Sequence, residues 1–300
     1  MTESIGFIGL GIMGQHMAFN LSQAGYALSV YSRHPEKIPP FIADNASICV
    51  SPQAVAEQTD IIITMVSDTS DVEQVILGEQ GIIHGTRSGQ LVIDMSTVAA
   101  SMARQIATVL KKRAVGMLDA PVSGGDKGAM AGTLSIMVGG EKAQFERALP
   151  LFQKMGKNIV HVGDHGAGQI AKTCNQLLVS QTILAVGEAL LLAKAAGIDP
   201  SNVRQALLGG FAYSRVLELH GQRMLDHHFD PGFKARLHQK DLRIALQTAY
   251  ELGIAIPGAA LSAQYLNALV GTEQGDLDSS ALLLIQEKML NISLKKDALS

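Results

Sequence analysis

The sequence predicts a doubly wound α/β sheet followed by an all-α C-terminal domain, the two joined by a long helix. Three observations carry this. Short apolar runs alternate with helical patterns through the first half. A glycine-rich turn follows the first of those runs at once. After Gly168 a proline-free stretch with helical periodicity begins, and strand-like runs fade beyond it.

Ile5–Gly9 is the first apolar run, and Ala27–Tyr31 follows a helical stretch closed by Gly25. Ile48–Val50 precedes Ser51-Pro52, which reads as the N-cap and first residue of a helix. Ile61–Val66 is unbroken in its apolar character, the mark of a strand buried on both faces. Leu91–Asp94, Gly116–Ala120, Ser135–Val138 and Ile159–Val162 complete the set. Strands separated by helical patterns mean βαβ units and a mostly parallel sheet. Over 169–196, Gly187 is the sole internal helix stop, and Leu177, Leu184 and Leu191 fall near one helical face. A helix of about 28 residues spans about 42 Å, enough to bridge two domains. Gly197 and Asp199-Pro200 close it, and helical periodicity dominates from 200 on. The expected layout is a dinucleotide-binding domain at 1–163, an interdomain helix at 164–196 and a helical substrate and oligomerisation domain at 197–300.

Composition removes several function classes. A chain of 300 residues suits two domains. A net charge of −3 argues against a nucleic-acid partner, which needs a basic surface. With 47% apolar and 17% charged residues the chain is not disordered. Cys49 and Cys174 form no C-x-x-C, which excludes a disulfide scaffold or Cys-rich zinc site and fits a reducing compartment. The start, M-T-E-S, lacks the basic region of a signal peptide. The most apolar stretch, 177–193, carries Ser180, Gln181, Thr182 and Glu188 and suits a buried helix better than a bilayer. A soluble cytoplasmic protein with no membrane partner is expected. His161 and His165 flank a turn, and adjacent His227 and His228 point apart, so no metal site is expected. Ser123 lies in V-S-G-G and not in a G-x-S-x-G elbow, and no P-loop motif occurs.

Gly9-Leu10-Gly11-Ile12-Met13-Gly14 is G-x-G-x-x-G between a strand and a helix, the context of a Rossmann-type dinucleotide site. Gly9 permits the turn, Gly11 admits a pyrophosphate and Gly14 lets helix and strand pack. The helix N-terminus then offers N–H groups to phosphate. The second strand ends in Tyr31-Ser32-Arg33-His34, with no acid over 30–34 to bind a ribose 2′-hydroxyl. Arg33 instead suits a 2′-phosphate, which points to NADP(H) as the preferred cofactor with NAD(H) as the alternative.

Three further segments suggest chemistry. Ser123, Gly124 and Gly125 follow a strand end and offer a hydroxyl and open N–H groups to a small carboxylate substrate. Lys172, Asn175 and Gln176 share one helical face, where they could protonate and orient a carbonyl oxygen; taken alone, a solvated polar face is the plainer reading. Phe233, Lys240 and Asp241 form the third, and Lys240-Asp241 alone reads as a surface pair.

Phe7 through Leu21, F-I-G-L-G-I-M-G-Q-H-M-A-F-N-L, resembles the signature of the β-hydroxyacid (3-hydroxyisobutyrate) dehydrogenase family. Asp94-Met-Ser-Thr97, Asp119-Ala-Pro-Val-Ser-Gly-Gly125, Gly166 through Gln176 and Lys240-Asp-Leu242 match in order, so the resemblance spans nearly the whole chain. It implies Lys172 as catalytic acid/base, with Ser123, Gly124, Gly125, Asn175 and Gln176 at the substrate. It places Val66, Ser67, Thr97 and Lys240 at the cofactor and implies a homodimer or homotetramer. Ile61–Met65, Gly209-Gly210 and Phe233–Leu242 are most similar to the branch that reduces tartronate semialdehyde. Two departures stand out: Val66-Ser67 where members often have Leu-Pro, and Ala99-Ala100 where they often have Ser-Pro. Oxidation of 3-hydroxyisobutyrate and a non-catalytic dinucleotide-binding module remain the competing readings. An imine reductase on the same fold would carry another residue at the Lys172 position.

Overall fold

The computed structural model describes residues 3–295. The chain divides into two compact units, one up to Lys172 and one from Thr173 onward. The first unit runs β1 (Ile5–Ile8), α1 (Gly14–Gln23), β2 (Leu28–Tyr31), α2 (Pro40–Ala43), β3 (Ala46–Ile48), α3 (Pro52–Gln58), β4 (Ile61–Thr64), α4 (Thr69–Leu77) and α5 (Ile82–Gly85). It continues with β5 (Leu91–Asp94), α6 (Ala100–Lys111), β6 (Gly116–Asp119), β7 (Val122–Ser123), α7 (Gly125–Met130), β8 (Leu134–Gly140), α8 (Lys142–Met155) and β9 (Gly156–Gly163), and α9 (Ala167–Ala195) begins in it.

The sheet order β3-β2-β1-β4-β5-β6 is parallel throughout, the arrangement of a Rossmann sheet. Successive residues of each central strand serve opposite faces. Ile5, Phe7, Ile61, Ile63, Leu91 and Ile93 enter one core, and Ile8, Ile62 and Val92 enter the other. That double burial of β4 is why Ile61–Val66 reads as an unbroken apolar run. Beyond β6 the sheet changes sense: β8 is antiparallel to β6 and β7 to β8, while β9 rejoins parallel to β8. The one helix between β6 and β8 is the six-residue α7, too short for a parallel crossover, so the chain turns back. Strand β3 lies two residues earlier than the apolar run Ile48–Val50 suggests. Ser51 caps α3 by accepting from the Ala54 N–H at 3.1 Å, which commits the residues just before it to the approach.

The second unit holds most of α9, then α10 (Pro200–Leu208), α11 (Arg215–Leu225), α12 (Ala235–Leu252), α13 (Pro257–Gly271) and α14 (Leu282–Leu290). Ile183, Val186 and Leu190 of α9 pack with Leu217, Leu242, Leu266 and Leu282 in one core. Gly187 does not stop α9. A Cβ there would collide with the Gln286 side chain, whose Nε2 donates to the Leu184 carbonyl at 2.9 Å. The glycine therefore admits a neighbour. By length and composition α9 passes as a membrane span, but half of its apolar window is buried inside the protein.

One buried carboxylate organises this unit. Asp278, fully buried, accepts from the Gly232 and Phe233 N–H groups at 3.0 and 3.1 Å and from the Ser280 N–H and hydroxyl. Arg223 Nη1 lies 2.9 Å from its Oδ2 and His220 Nδ1 3.2 Å from its Oδ1. Burial alone would raise this carboxyl. His220 close beside it, with the donors of Ser280, overcomes that and holds it well below the usual carboxylate range. The carboxylate thus ties α11 to the loop that enters α12. Asp278→Ala would orphan these donors and the arginine. Chemical unfolding should show a loss of about 3–5 kcal/mol, the cost of breaking a buried charged network.

Candidate active site

Parallel register brings the chain's functional loops to one edge. Ile8 pairs with Tyr31 and with Thr64, Thr64 with Asp94, and Asp94 with Asp119. The loops that follow at 9–14, 32–34, 65–67, 95–98 and 120–125 therefore all leave the carboxyl edge of the sheet, where ligands bind in this architecture.

The first loop is built for close approach. Gly9 has φ +99°, and a Cβ on it would strike the Met65 carbonyl. A Cβ on Gly14 would strike the Gly9 carbonyl, so the turn and α1 close only with glycine at both. At Gly11 a Cβ would meet nothing within 4 Å. The packing of the protein does not require a glycine there, whereas a ligand against the backbone would. Leu10 is buried, Ile12 is exposed and Met13 precedes α1 as its N-cap. These residues fit a dinucleotide pyrophosphate. Ser32 Oγ receives the His34 N–H at 3.2 Å, which shapes the loop after β2. Arg33 is 68% exposed and meets Asp71, in the first turn of α4, at 3.2 Å.

The loops after β4, β5 and β6 are cross-linked by polar groups. Thr64 Oγ1 donates to Asp94 Oδ1 at 2.8 Å, and the Val66 N–H donates to Ser96 Oγ at 2.9 Å. Ser67 is exposed and Thr97 half-buried. Ser123 stands in β7, paired with Ser135, instead of in a loop. Gly124 and Gly125 follow with φ +140° and +65°, which turn the chain into α7. Asp119 is fully buried and accepts the Gly166 and Gln169 N–H groups at 2.7 and 3.0 Å, at the start of α9. Gln169 then reaches back: Nε2 donates to the Ser96 carbonyl at 2.8 Å and Oε1 accepts from the Val98 N–H at 3.1 Å. Lys172, 7% exposed, follows three residues on.

Asp94 is the strained member. Its Oδ2 has no hydrogen-bond partner in a fully buried position. Burial, opposed by the donors of Ser96 and Thr64 and aided by the charge of Asp119, pushes its carboxyl up to about 6. Burial likewise raises Asp119, against the two backbone donors of α9.

In the second unit Asn175 and Gln176 continue the same helix. Asn175 Nδ2 donates to Gln176 Oε1 at 2.8 Å, and Gln176 Nε2 donates to Asp241 Oδ2 at 2.5 Å. Asp241 Oδ1 lies 3.2 Å from Lys240 Nζ, and both residues are buried. Lys240-Asp241 is thus an interior pair and not the surface pair its sequence suggests. His238 sets its Nε2 3.3 Å from the Gln176 carbonyl and its ring 5.6 Å from that of Phe233. Among the described residues no cluster of His, Cys, Asp or Glu could hold a metal ion. His161 and His165 each point Nε2 at a backbone carbonyl, of Gly140 and Met117.

Residues 4–163 match the NAD binding domain of 6-phosphogluconate dehydrogenase, and residues 166–285 match the NAD-binding domain of NADP-dependent 3-hydroxyisobutyrate dehydrogenase. The 2-hydroxy-3-oxopropionate reductase of Escherichia coli K12 is 47% identical over 97% of this chain and 99% of its own. The 3-hydroxyisobutyrate dehydrogenase of Pseudomonas aeruginosa is 36% identical over 94% and 97%. The Mycobacterium tuberculosis 3-hydroxyisobutyrate dehydrogenase, solved with L-serine, superposes with a TM-score of 0.87 at 30% identity, covering 95% of this chain and 99% of that one. The chain belongs to the 3-hydroxyisobutyrate dehydrogenase family. It is a nicotinamide-dependent oxidoreductase of the β-hydroxyacid dehydrogenase type.

Sequence reasoning named Asp94 and Asp119 only as parts of motifs and gave Gln169 no role of its own. The signal for Gln169 was available: it stands one turn before Lys172, at a helix start that follows two glycines.

Two predictions follow from this geometry. Gly11→Ala should leave thermal unfolding within about 1 °C of native, because open space surrounds the added methyl. It should weaken nicotinamide cofactor binding by at least about tenfold in a fluorescence titration; undiminished binding would remove the pyrophosphate from this turn. For Asp94 the native carboxyl sits above its unfolded value, so the folded state binds the extra proton. Its contribution to stability is present below about pH 4 and is lost as pH rises through about 6. The stability of Asp94→Asn relative to native should therefore rise by about 3 kcal/mol between pH 4 and pH 7.5. A difference independent of pH would contradict the burial argument.

Proposed function

We propose that this enzyme reduces tartronate semialdehyde to glycerate with NADPH, Lys172 acting as the general acid. The observation that carries the substrate is the relationship to 2-hydroxy-3-oxopropionate reductase, 47% identical along practically the whole of both chains. The Mycobacterium tuberculosis relative, solved with L-serine, adds a β-hydroxy acid of the same three-carbon size. The nicotinamide cofactor, when bound, supplies the hydride.

The chain's own residues divide the remaining work. Gly9 through Gly14 receive the pyrophosphate. Arg33 takes the 2′-phosphate, for which its planar fork of five N–H donors is suited even with one of them on Asp71. Ser32 and His34 flank it, and Val66, Ser67, Thr97 and Lys240 lie toward the nicotinamide. The Ser123 hydroxyl and the Gly124 and Gly125 N–H groups hold the substrate carboxylate, which fixes the aldehyde's orientation. Lys172 donates its proton to the aldehyde oxygen as charge develops there. Asn175 contacts the substrate from the next turn of α9. The helical second unit serves substrate recognition and pairing of subunits into a dimer or tetramer, in the cytoplasm.

The test is initial-rate nicotinamide absorbance with tartronate semialdehyde, run with NADPH and NADH in parallel. NADPH should be oxidised the faster by at least about tenfold. Lys172→Ala should lower kcat by about 10²–10⁴, the range of general acid catalysis, with the NADPH Kd within twofold of native. A near-native kcat in that variant would take the proton away from Lys172. Turnover of 3-hydroxyisobutyrate with NAD, and none of tartronate semialdehyde, would replace this substrate assignment with the other.

A further inference from the structure

The chain Asn175–Gln176–Asp241 has a direction, and its direction is set at one end. A carboxylate only accepts, so Gln176 must turn Nε2 toward Asp241. Gln176 Oε1 then faces Asn175 and can only accept, so Asn175 must turn Nδ2 inward. Nothing in either amide by itself fixes which atom points where. Burial fixes it, because Gln176 is 5% exposed and Asp241 3%, and a reversed amide would place two acceptors face to face out of water. The His238 contact to the Gln176 carbonyl holds the backbone at the same point.

We propose that Asp241, acting through Gln176, makes Asn175 present its carbonyl oxygen Oδ1 outward and thereby selects substrates that bear a hydroxyl on the carbon next to the carboxylate. The inference rests on the β-hydroxyacid dehydrogenase reading above and on Asn175 as a substrate contact. The chemistry narrows the partner. In tartronate semialdehyde the carboxylate and the aldehyde oxygen both accept, and the C2 hydroxyl is the one donor. An outward Oδ1 can therefore pair only with that hydroxyl. In the 2-methyl analogue the same position carries no donor, and Oδ1 would lose water without replacement. A site that pairs with a substrate hydroxyl rejects the analogue lacking it far more strongly than an apolar pocket rejects a change of one methylene. Gln176 and Asp241 are positioning residues on this account and do not touch substrate.

Glycerate and 3-hydroxyisobutyrate test this, since at C2 they differ by hydroxyl against methyl. The native enzyme should oxidise glycerate with a kcat/KM at least about 100-fold above that for 3-hydroxyisobutyrate. Asp241→Asn frees the direction of the chain and should compress that ratio to within about tenfold. Gln176→Glu sets two carboxylates against each other and should do the same. The double variant Gln176→Glu/Asp241→Asn restores the direction, since the new asparagine donates to the new glutamate, which still accepts from Asn175. It should recover the ratio to within about fivefold of native. In an Asn175→Ala background, Asp241→Asn should make no further difference to the ratio. A ratio unchanged in Asp241→Asn while both rates fall, or a double variant no better than the singles, overturns the proposal. Should a single variant fail to fold, the double variant decides, because its hydrogen bonds are complete; its failure to fold also counts against the chain. Thermal unfolding provides the independent readout, with both singles lowered and the double recovered. A native enzyme inactive on both acids would sink the functional reading while the unfolding arm still judges the chain. Native preference for 3-hydroxyisobutyrate would sink the inference and leave the dehydrogenase standing.

Discussion

The site in the first unit depends on one contact: the Asp119 carboxylate at the N-terminus of α9. Asp119 is the last residue of β6, level with Asp94 and Thr64 across the sheet. It accepts the N–H of Gly166, just before α9, and that of Gln169 in the first turn, which a helix cannot satisfy from within. Close approach is possible because Gly168 stands there, where a Cβ would strike the Asp119 carbonyl. With that end fixed, the rotation of α9 about its own axis is fixed too. Gln169 then faces the loop after β5 and ties it down through Ser96 and Val98. Lys172 inherits its place from the same helix phase. Lys172, with its long flexible stem, is thus positioned by a buried carboxylate at the start of its helix, and not by its own contacts alone.

How much of this was legible beforehand follows from which interactions are local. The G-x-G-x-x-G turn could be read from local sequence, since Gly9 and Gly14 answer to steric demands within a few residues or across one strand, while Gly11 faces open space. So could the parallel half of the sheet, whose apolar runs record burial on both faces. The antiparallel addition of β7 and β8 was not legible. It depends on a six-residue helix being too short to cross over, and a two-residue strand leaves no periodicity to read. Lys240-Asp241 was misjudged for a similar reason. Two adjacent charges look like a solvated face until Gln176, 65 residues away, proves to be the partner that takes Asp241 inward. The helix spacing of Lys172, Asn175 and Gln176 was visible, but not the hydrogen bonds that run from Asn175 through Gln176 to Asp241.

The three buried aspartates show how donor count settles charge. Asp278 has donors on both oxygens, two of them on cationic or protonatable side chains, and its carboxyl is held low. Asp119 has one donor for each oxygen, both from backbone, and burial still wins, so its carboxyl rises. Asp94 has donors on Oδ1 and none on Oδ2, and burial pushes its carboxyl up to about 6. Burial is similar in all three, so the difference lies in how fully each carboxylate is solvated by the protein. Asp94 is therefore the position where this sheet edge sacrifices stability at neutral pH. It does so while joining the loops after β4 and β5, which carry the groups assigned to the nicotinamide.

The same logic of donors and acceptors separates the two units chemically. In the first, Ser123, the Gly124 and Gly125 N–H groups and Lys172 are donors, which suit the carboxylate and aldehyde of the proposed substrate. Donors alone would bind any semialdehyde acid of suitable size. Telling one from another requires an acceptor of fixed direction, because only the substituent on C2 distinguishes a hydroxyl acid from its methyl counterpart. An exposed asparagine cannot supply that, since its amide turns over freely and offers either end. One backed by a glutamine and a buried carboxylate can, since reversal would cost two buried hydrogen bonds. Asp241 acts at a distance through hydrogen-bond direction, and it contributes to specificity without adding any binding group to the substrate.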